Sequence, residues 1–323
     1  MSKIKAGIIG IGSLGHGMVE VFDQHPKFEL ISVCDTNEVI LNKTVEQFDI
    51  EGYTSYKDLL EKSDVDMVYI AVPPKWHHPI TMDAIKAGKH ILCEKPLANS
   101  LEDAKEMLDE VSKTGLIHSM NFPLNYVAST RKFEELLQEG FIGKLRRVEV
   151  NMEFPVWPRH WQQNSWINTR EQGGFVFEVT GHFIQLINRF FGSITDVESK
   201  LEFPEDSSLP ETGMIAQMKV QNVPVLIKGI SGTAGTEEQK LSLTAYGTEG
   251  TLSLIDLMIL KAGKLGEEFL DVPLENIHFW NELLNEFVAA IEGKPHELYT
   301  FESGYEVQEV LENLRNPKLE LIK

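Results

Sequence analysis

Along the first 120 positions, apolar residues fall in short continuous runs separated by stretches of helical spacing. Ile4-Lys5-Ala6-Gly7-Ile8-Ile9 is the first run, and its length suits a parallel strand covered on both faces. A helical pattern through Met18, Val19, Val21 and Phe22 follows, and then a second strand, Phe28 to Cys34. Glu51-Gly52-Tyr53 predicts a short third strand, Tyr56 to Leu60 a helical turn, and Val65 to Val72 a fourth strand that breaks at Pro73-Pro74. Ile80, Ala84, Ile85 and Ala87 share one helix face, and Gly88 supplies the stop signal. His90 to Cys93 is a fifth strand, Ser100 to Lys113 a helix, and Ile117 to Met120 a sixth strand. This alternation predicts an α/β fold with a doubly wound parallel sheet in the order 3-2-1-4-5-6.

The turn after the first strand reads Gly10-Ile11-Gly12-Ser13-Leu14-Gly15, and Asp35 ends the second strand 20 residues beyond Gly15. Gly10 permits the tight turn, Gly12 lets backbone approach a pyrophosphate, and Gly15 lets the helix pack close to the strand. A helix N-terminus binds phosphate without any basic residue. Asp35 can accept from both ribose hydroxyls and would repel a 2′-phosphate, and the next residues, Thr36 and Asn37, include no arginine to receive one. Strand, glycine turn, helix and acid in this order predict a dinucleotide site with NAD favoured over NADP. Gly10, Ile11, Gly12, Ser13, Leu14, Gly15, Asp35 and Thr36 are its predicted contacts.

Glu94-Lys95-Pro96 follows the fifth strand directly, and Pro96 forbids a simple continuation of the ladder. Ligands of open α/β sheets sit at the carboxyl ends of the strands. That places the Lys95 ammonium where it can do chemistry, with Pro96 as the rigid turn that aims it.

Beyond about Asn121 the pattern changes to period two, in Val148 to Phe154, parts of Gly213 to Val220, Val225 to Ile230 and Leu241 to Tyr246. Such alternation predicts antiparallel strands with one covered face. Two domains result, 1–120 and 121–323. The linking loop 155–166 carries Trp157, Trp161, Trp166, Arg159 and His160. Aromatic faces suit the C–H faces of sugars and an arginine suits hydroxyls or carboxylates, so Trp157, Arg159 and Trp166 are candidate substrate contacts. Packing of the tryptophans into the domain core is the competing reading.

Composition narrows the function classes. The formal net charge is −19 and no basic run exceeds Arg146-Arg147, which argues against a nucleic-acid partner. No apolar run approaches the roughly 20 residues that span a bilayer. The N-terminus runs straight into the first strand, which predicts no secretory leader. Two cysteines, Cys34 and Cys93, would lie three strand spacings apart, roughly 14 Å, too far for a disulfide. A reducing cytoplasm is the expected location.

These motifs together resemble the Gfo/Idh/MocA oxidoreductases, which include glucose–fructose oxidoreductase and inositol dehydrogenase. The resemblance rests on the glycine loop, on Ala71-Val72-Pro73 with His77, and on Ala87 to Ala98 around Glu94-Lys95-Pro96. It continues through Asn121 and Asn125, Gly173-Gly174 with Glu178 and His182, Gly247-Thr248-Glu249-Gly250, and the late helix around Phe287. It implies that Val72, Pro73, His77, Glu94, Lys95 and Asn121 extend the cofactor pocket. It implies a second domain with an open, mostly antiparallel sheet, a helix over Gly174 to Phe190, and a homodimer or homotetramer formed through the uncovered sheet face. Two departures stand out. Phe122-Pro123-Leu124 replaces the usual arginines, and Glu178 replaces the usual aspartate.

The implied activity is hydride transfer between NAD(P) and a hydroxyl-bearing carbon of a sugar, polyol or related small molecule. The cofactor takes the hydride and the protein supplies position and a base. Lys95 is the first candidate for proton transfer. An ordinary lysine is too basic for this, and burial with a neighbouring positive charge is what brings such a base toward neutrality. His182 is the second candidate. Glu178 lies four residues before it and so shares its helix face. In inositol-dehydrogenase-like members a lysine, an aspartate and a histidine hold these roles, so the resemblance implies that Lys95, Glu178 and His182 are catalytic and that Lys95 and His182 touch substrate. No spaced ligand set for a metal appears. Two other readings stay open: a regulatory protein that binds NAD without chemistry, and a redox-neutral enzyme that oxidises a sugar transiently and regenerates NAD.

Overall fold

The computed structural model describes residues 3–162, 164–234 and 237–316. The chain forms two compact units: the chain up to Phe122 with Trp280–Gln308, and Pro123–Phe279 with the chain from Glu309.

The first unit alternates β1 (Ile4–Ile9), α1 (Ser13–Gln24), β2 (Phe28–Cys34), α2 (Glu38–Phe48), β3 (Glu51–Tyr53), α3 (Tyr56–Lys62), β4 (Met67–Ile70), α4 (His77–Lys86), β5 (His90–Cys93), α5 (Leu101–Val111) and β6 (His118–Met120). The sheet order is β3-β2-β1-β4-β5-β6 and every pairing is parallel, the expected doubly wound arrangement. Ile8, Val33, Val68, Ile70, Ile91 and Leu92 are fully buried, as strands covered on both faces require. Cys34 and Cys93 lie on β2 and β5, buried and unbonded. Burial pushes the Cys34 thiol up to about 12, so it is a poor nucleophile at neutral pH.

Sequence reasoning gave no helix after Thr36, yet α2 forms there. Its start is fixed by Asn37, whose Oδ1 accepts the N–H groups of Val39 at 3.1 Å and Ile40 at 3.4 Å.

The second unit holds α6 (Ala128–Gln138), β7 (Leu145–Phe154), α7 (Phe175–Glu178), α8 (Thr180–Phe191), β8 (Ile194–Glu202), β9 (Gly213–Val220), β10 (Val223–Ser231), β11 (Lys240–Gly247), β12 (Gly250–Ile255), β13 (Ile259–Lys264) and β14 (Leu270–Asp271). Its eight strands run in the order β14-β13-β12-β11-β7-β10-β9-β8. Only the β7–β10 pair is parallel among them, so the sheet is mostly antiparallel as expected. Val148, Val150, Met152 and Phe154 point into the core at period two. The Phe175 ring covers bare backbone at Gly229, where an added Cβ would sit 2.3 Å from it. The predicted single helix over Gly174 to Phe190 is two helices, broken at Val179, which adopts φ −111° and ψ −42°.

The chain then forms α9 (Phe279–Ile291) and α10 (Phe301–Arg315). Residues 280–308 pack with the first unit although they follow the second in sequence. Leu283, Leu284 and Phe287 on α9 are fully buried. Tyr299 carbonyl accepts the Met120 N–H at 2.7 Å, so this segment covers the exposed edge of β6. An added Cβ at Gly304 would lie 2.8 Å from the Met120 sulfur, which explains a glycine inside α10. Among the described residues, no helix is long and apolar enough to cross a membrane.

Candidate functional site

Each glycine of the first turn answers a different steric demand. Gly10 adopts φ +91°, and a Cβ there would meet the Ala71 carbonyl oxygen at 2.5 Å. A Cβ at Gly15 would sit 1.9 Å from the Gly10 carbonyl oxygen. Gly12 differs, because a Cβ there would meet nothing within 4 Å. Packing therefore requires Gly10 and Gly15, whereas Gly12 leaves open space in front of the loop. Gly12 is also the N-cap of α1, and no side chain caps that end. Ser13 and Leu14 are exposed beside it.

Asp35 closes the other side of the turn. Its Oδ2 accepts the Ile11 N–H at 2.9 Å, and its Oδ1 accepts the Asn37 N–H at 2.8 Å. Asp35 is half-buried and Thr36 exposed. The carboxylate thus stands at the tip of β2 with one oxygen on each neighbouring loop. Ile11 is 1% exposed, and its amide bond to Asp35 shapes the loop.

Three adjacent strands meet in a buried network at their carboxyl ends. Tyr69 on β4 donates its hydroxyl hydrogen to Glu94 Oε1 at 2.5 Å. Asn121, just after β6, donates through Nδ2 to Glu94 Oε1 at 2.5 Å and to the Tyr69 oxygen at 3.1 Å. Glu94 Oε2 accepts the Lys95 N–H at 3.2 Å. Burial pushes the Glu94 carboxyl above the ordinary carboxylate range, against the Lys95 charge and the bonds from Tyr69 and Asn121. Burial, followed by the Glu94 charge, raises the Tyr69 phenol well above its usual value. Lys95 itself is half-exposed and precedes a cis peptide bond to Pro96.

His77 sits under the same corner. Its Nδ1 lies 2.8 Å from the Pro96 carbonyl oxygen and its Nε2 lies 2.8 Å from that of Val72. Burial lowers its pKa, against the backbone bonds. His77 ties the loop after β4 to the loop after β5, leaving Val72 and Pro73 half-exposed above it.

In the second unit, Trp157 packs edge-on to Phe154 at 5.2 Å and to Phe175 at 6.1 Å, and donates through Nε1 to the Ile167 carbonyl at 3.4 Å. The Arg159 guanidinium lies 5.5 Å from the Trp157 ring and 4.6 Å from the Trp161 ring. Its Nε donates to Gln162 Oε1 at 3.0 Å. Burial lowers the Arg159 pKa, and the Glu178 carboxylate opposes that. Glu178 is 5% exposed at the end of α7, and His182 is half-buried one turn later on α8. Trp166 is half-buried, with its carbonyl accepting from Thr169 Oγ1 at 2.7 Å. Trp157 therefore combines core packing with a stacking face toward Arg159.

Comparison with known proteins agrees with this architecture. The family model for the oxidoreductase family with NAD-binding Rossmann fold matches residues 4–122. The model for the GFO/IDH/MocA C-terminal domain matches residues 130–253. The chain belongs to the Gfo/Idh/MocA oxidoreductase family. Similar solved structures include the WlbA dehydrogenase from Bordetella pertussis in complex with NADH and UDP-GlcNAcA. It has a TM-score of 0.84 and 19% identity over 97% of this chain and 96% of that one. A 3-ketoreductase from Actinomadura kijaniata, in complex with TDP-benzene and NADP, has a TM-score of 0.82 and 20% identity, covering 97% of each chain. Among curated relatives, the alpha-N-acetylgalactosaminidase of Shewanella oneidensis is 30% identical over 160 residues, 46% of this chain and 35% of that protein. Glycosyl hydrolase family 109 protein 1 of Shewanella sp. strain ANA-3 matches to the same extent. The chain spans about a third of the length of the curated relatives it matches.

Within this Gfo/Idh/MocA chain, the predicted cofactor contacts His77 and Asn121 are 0% exposed and Glu94 is 6% exposed. Their polar atoms are drawn inward by each other and by backbone carbonyls, which local sequence does not reveal. Tyr69 was not singled out from sequence. On a strand covered on both faces, alternation carries no signal, and the only clue was a tyrosine within an otherwise aliphatic run.

Proposed function

We propose that the chain is an NAD(P)-dependent dehydrogenase acting on a hydroxyl-bearing carbon of a sugar, polyol or related compound. The observation that carries this reading is Lys95, half-exposed at the carboxyl edge of the Rossmann sheet with its main chain clamped by the Glu94 network.

The residues around the glycine turn fit a dinucleotide. Gly12 leaves room for a pyrophosphate, the uncapped start of α1 offers amides, and Asp35 stands where ribose hydroxyls would lie. Asp35 favours NAD over NADP. The cofactor, when bound, supplies a hydride acceptor or donor. Lys95 removes the proton from the substrate hydroxyl during oxidation, or returns it during reduction. His182 assists that transfer, and Glu178 orients His182 and Arg159. Arg159, Trp157 and Trp166 hold the substrate. Ile215 and Ile230, exposed on β9 and β10, support self-association through that face.

The test is a thermal-shift panel of sugars, polyols and sugar acids with saturating NAD, followed by turnover assays on the hits. A ligand at a hundred times its dissociation constant stabilises by about 2.7 kcal/mol, which such a panel resolves. Lys95→Ala is expected to bind NADH normally while turnover falls by about 10²-fold or more. Normal turnover in that variant would overturn the role of Lys95.

A second reading has one specific support, the match to an alpha-N-acetylgalactosaminidase. There a sugar would be oxidised transiently and the cofactor regenerated, with bond cleavage between the two steps. Cleavage of a nitrophenyl N-acetylgalactosaminide without net NADH would favour it.

A further inference from the structure

The Gly173-Gly174 pair ahead of α7 has an unexpected cause. A Cβ at Gly173 would sit 2.0 Å from the Ile167 carbonyl oxygen. At Gly174, where φ is +92°, a Cβ would sit 2.4 Å and 2.5 Å from the two carboxylate oxygens of Glu211. Glu211 lies just ahead of β9 and is 6% exposed. Its Oε1 accepts the Val176 N–H at 2.7 Å. The carboxylate therefore occupies the space a side chain at 174 would fill, and takes the amide that Gly174 has no side chain to cap.

The carboxylate is held in turn. Burial raises the Glu211 pKa, while the Val176 bond and the Arg315 and Arg170 charges pull it back. Arg170 Nε donates to the Leu209 carbonyl at 3.0 Å, and Arg315 donates to the Arg170 carbonyl at 2.9 Å. Arg315 also stacks over Phe177 at 4.5 Å. Two arginines, both fixed to backbone, thus frame one buried acid. α7 is only four residues long and is separated from α8 by the break at Val179. A single turn is not self-sustaining, so its direction must be set from outside.

We propose that Glu211 is a positioning residue. Its carboxylate fixes the Val176 amide, and through α7 it sets the direction in which Glu178 and His182 project. This rests on the reading that Glu178 and His182 serve the chemistry.

The test uses the full chain labelled with ¹³C,¹⁵N-histidine, with the His182 ring signal assigned by His182→Gln. Glu211→Ala is expected to shift or broaden the His182 signal while His25 and His118, in the first unit, stay in place. NADH affinity should stay within about twofold, the scatter of independent sites. Glu211→Gln keeps an acceptor oxygen and should return the His182 signal toward its original position. If Glu211→Ala does not fold, Glu211→Asp withdraws the carboxylate by one methylene and is read in the same way. An unmoved His182 signal, a uniform shift of all histidine signals, or a Glu211→Gln signal as displaced as that of Glu211→Ala would each overturn the proposal. The readout is the surroundings of His182 and not turnover, so it stands apart from any error in the assigned reaction. Turnover lost in His182→Gln with an unmoved signal in Glu211→Ala would overturn the positioning role alone.

Discussion

Tyr69→Phe isolates one bond in the buried network. The phenol is fully buried and donates to Glu94 Oε1 at 2.5 Å. Phenylalanine keeps the ring and removes only that oxygen. Glu94 then retains Asn121 on Oε1 and the Lys95 N–H on Oε2. The cost depends on the charge of Glu94. A bond to an ionised carboxylate contributes about 1.5–3 kcal/mol, and one between neutral groups about 0.5–1.5 kcal/mol. The native pKa of Glu94 is raised by burial, so the native state binds its proton more tightly than the unfolded chain does. The stability from that protonation is fully present below the ordinary carboxylate pKa and is lost as pH rises through the raised value. Tyr69→Phe deletes a bond that favours the ionised form, and so raises that pKa further. The destabilisation should be larger at pH 8 than at pH 5, by about 1 kcal/mol. Urea unfolding followed by circular dichroism at the two pH values measures it, with an unchanged slope confirming comparable unfolding. Equal destabilisation at both pH values, or more at pH 5, would refute the account of Glu94 as a carboxylate held against its desolvation.

Gly12→Ala should change stability by less than about 1 kcal/mol yet weaken NADH binding at least about tenfold, read by fluorescence titration, because its Cβ meets only open space. Gly15→Ala should instead cost about 3 kcal/mol or more in chemical unfolding, since its Cβ collides with the Gly10 carbonyl. If Asp35 sets the proposed preference for NAD, Asp35→Asn should raise NADP affinity relative to NAD by about tenfold, or 1.4 kcal/mol, in paired binding titrations. Arg189→Met should cost about 2–3 kcal/mol in urea melts, since Arg189 bonds Glu134 at 2.6 Å and the Asn125 carbonyl at 2.8 Å while 8% exposed.

What the sequence revealed and what it hid divide along one physical line. The glycine turn was legible because Gly10 and Gly15 are demanded by backbone contacts within 70 residues of chain whose order is set by βαβ topology. The sheet order followed from the same rule, and with it the separation of Cys34 from Cys93. Interior polar pairing was not legible. Nothing in Met120-Asn121-Phe122 announces that the Asn121 amide turns inward to Glu94, 27 residues away. The break at Val179 escaped for a similar reason, because the helical pattern of Phe177 to Phe191 runs through it. Residues 280–308 pack beside β6 through the Tyr299 carbonyl, a contact separated by 180 residues from Ser119. The tryptophan loop lay between these cases, since its residue types suggested recognition but only geometry shows Trp157 against Phe154 and Phe175.

The placement of Lys95 follows from that inward pairing. Glu94 accepts the Lys95 amide hydrogen and receives Tyr69 from β4 and Asn121 from beyond β6, so the carboxyl ends of the neighbouring strands β4, β5 and β6 converge on one carboxylate. His77 lies with Nδ1 2.8 Å from the Pro96 carbonyl oxygen and Nε2 2.8 Å from that of Val72, and a ring N–H donated to these acceptors ties the two loops together. An aliphatic residue at 94 would pack as well as glutamate in a sheet of this composition, but it would leave the Lys95 amide, the Tyr69 hydroxyl and the Asn121 amide without their shared acceptor. The acid of Glu94-Lys95-Pro96 is thus best understood as the foundation of the lysine. It fixes the main chain of Lys95 from the buried side, where three donors oppose the desolvation cost.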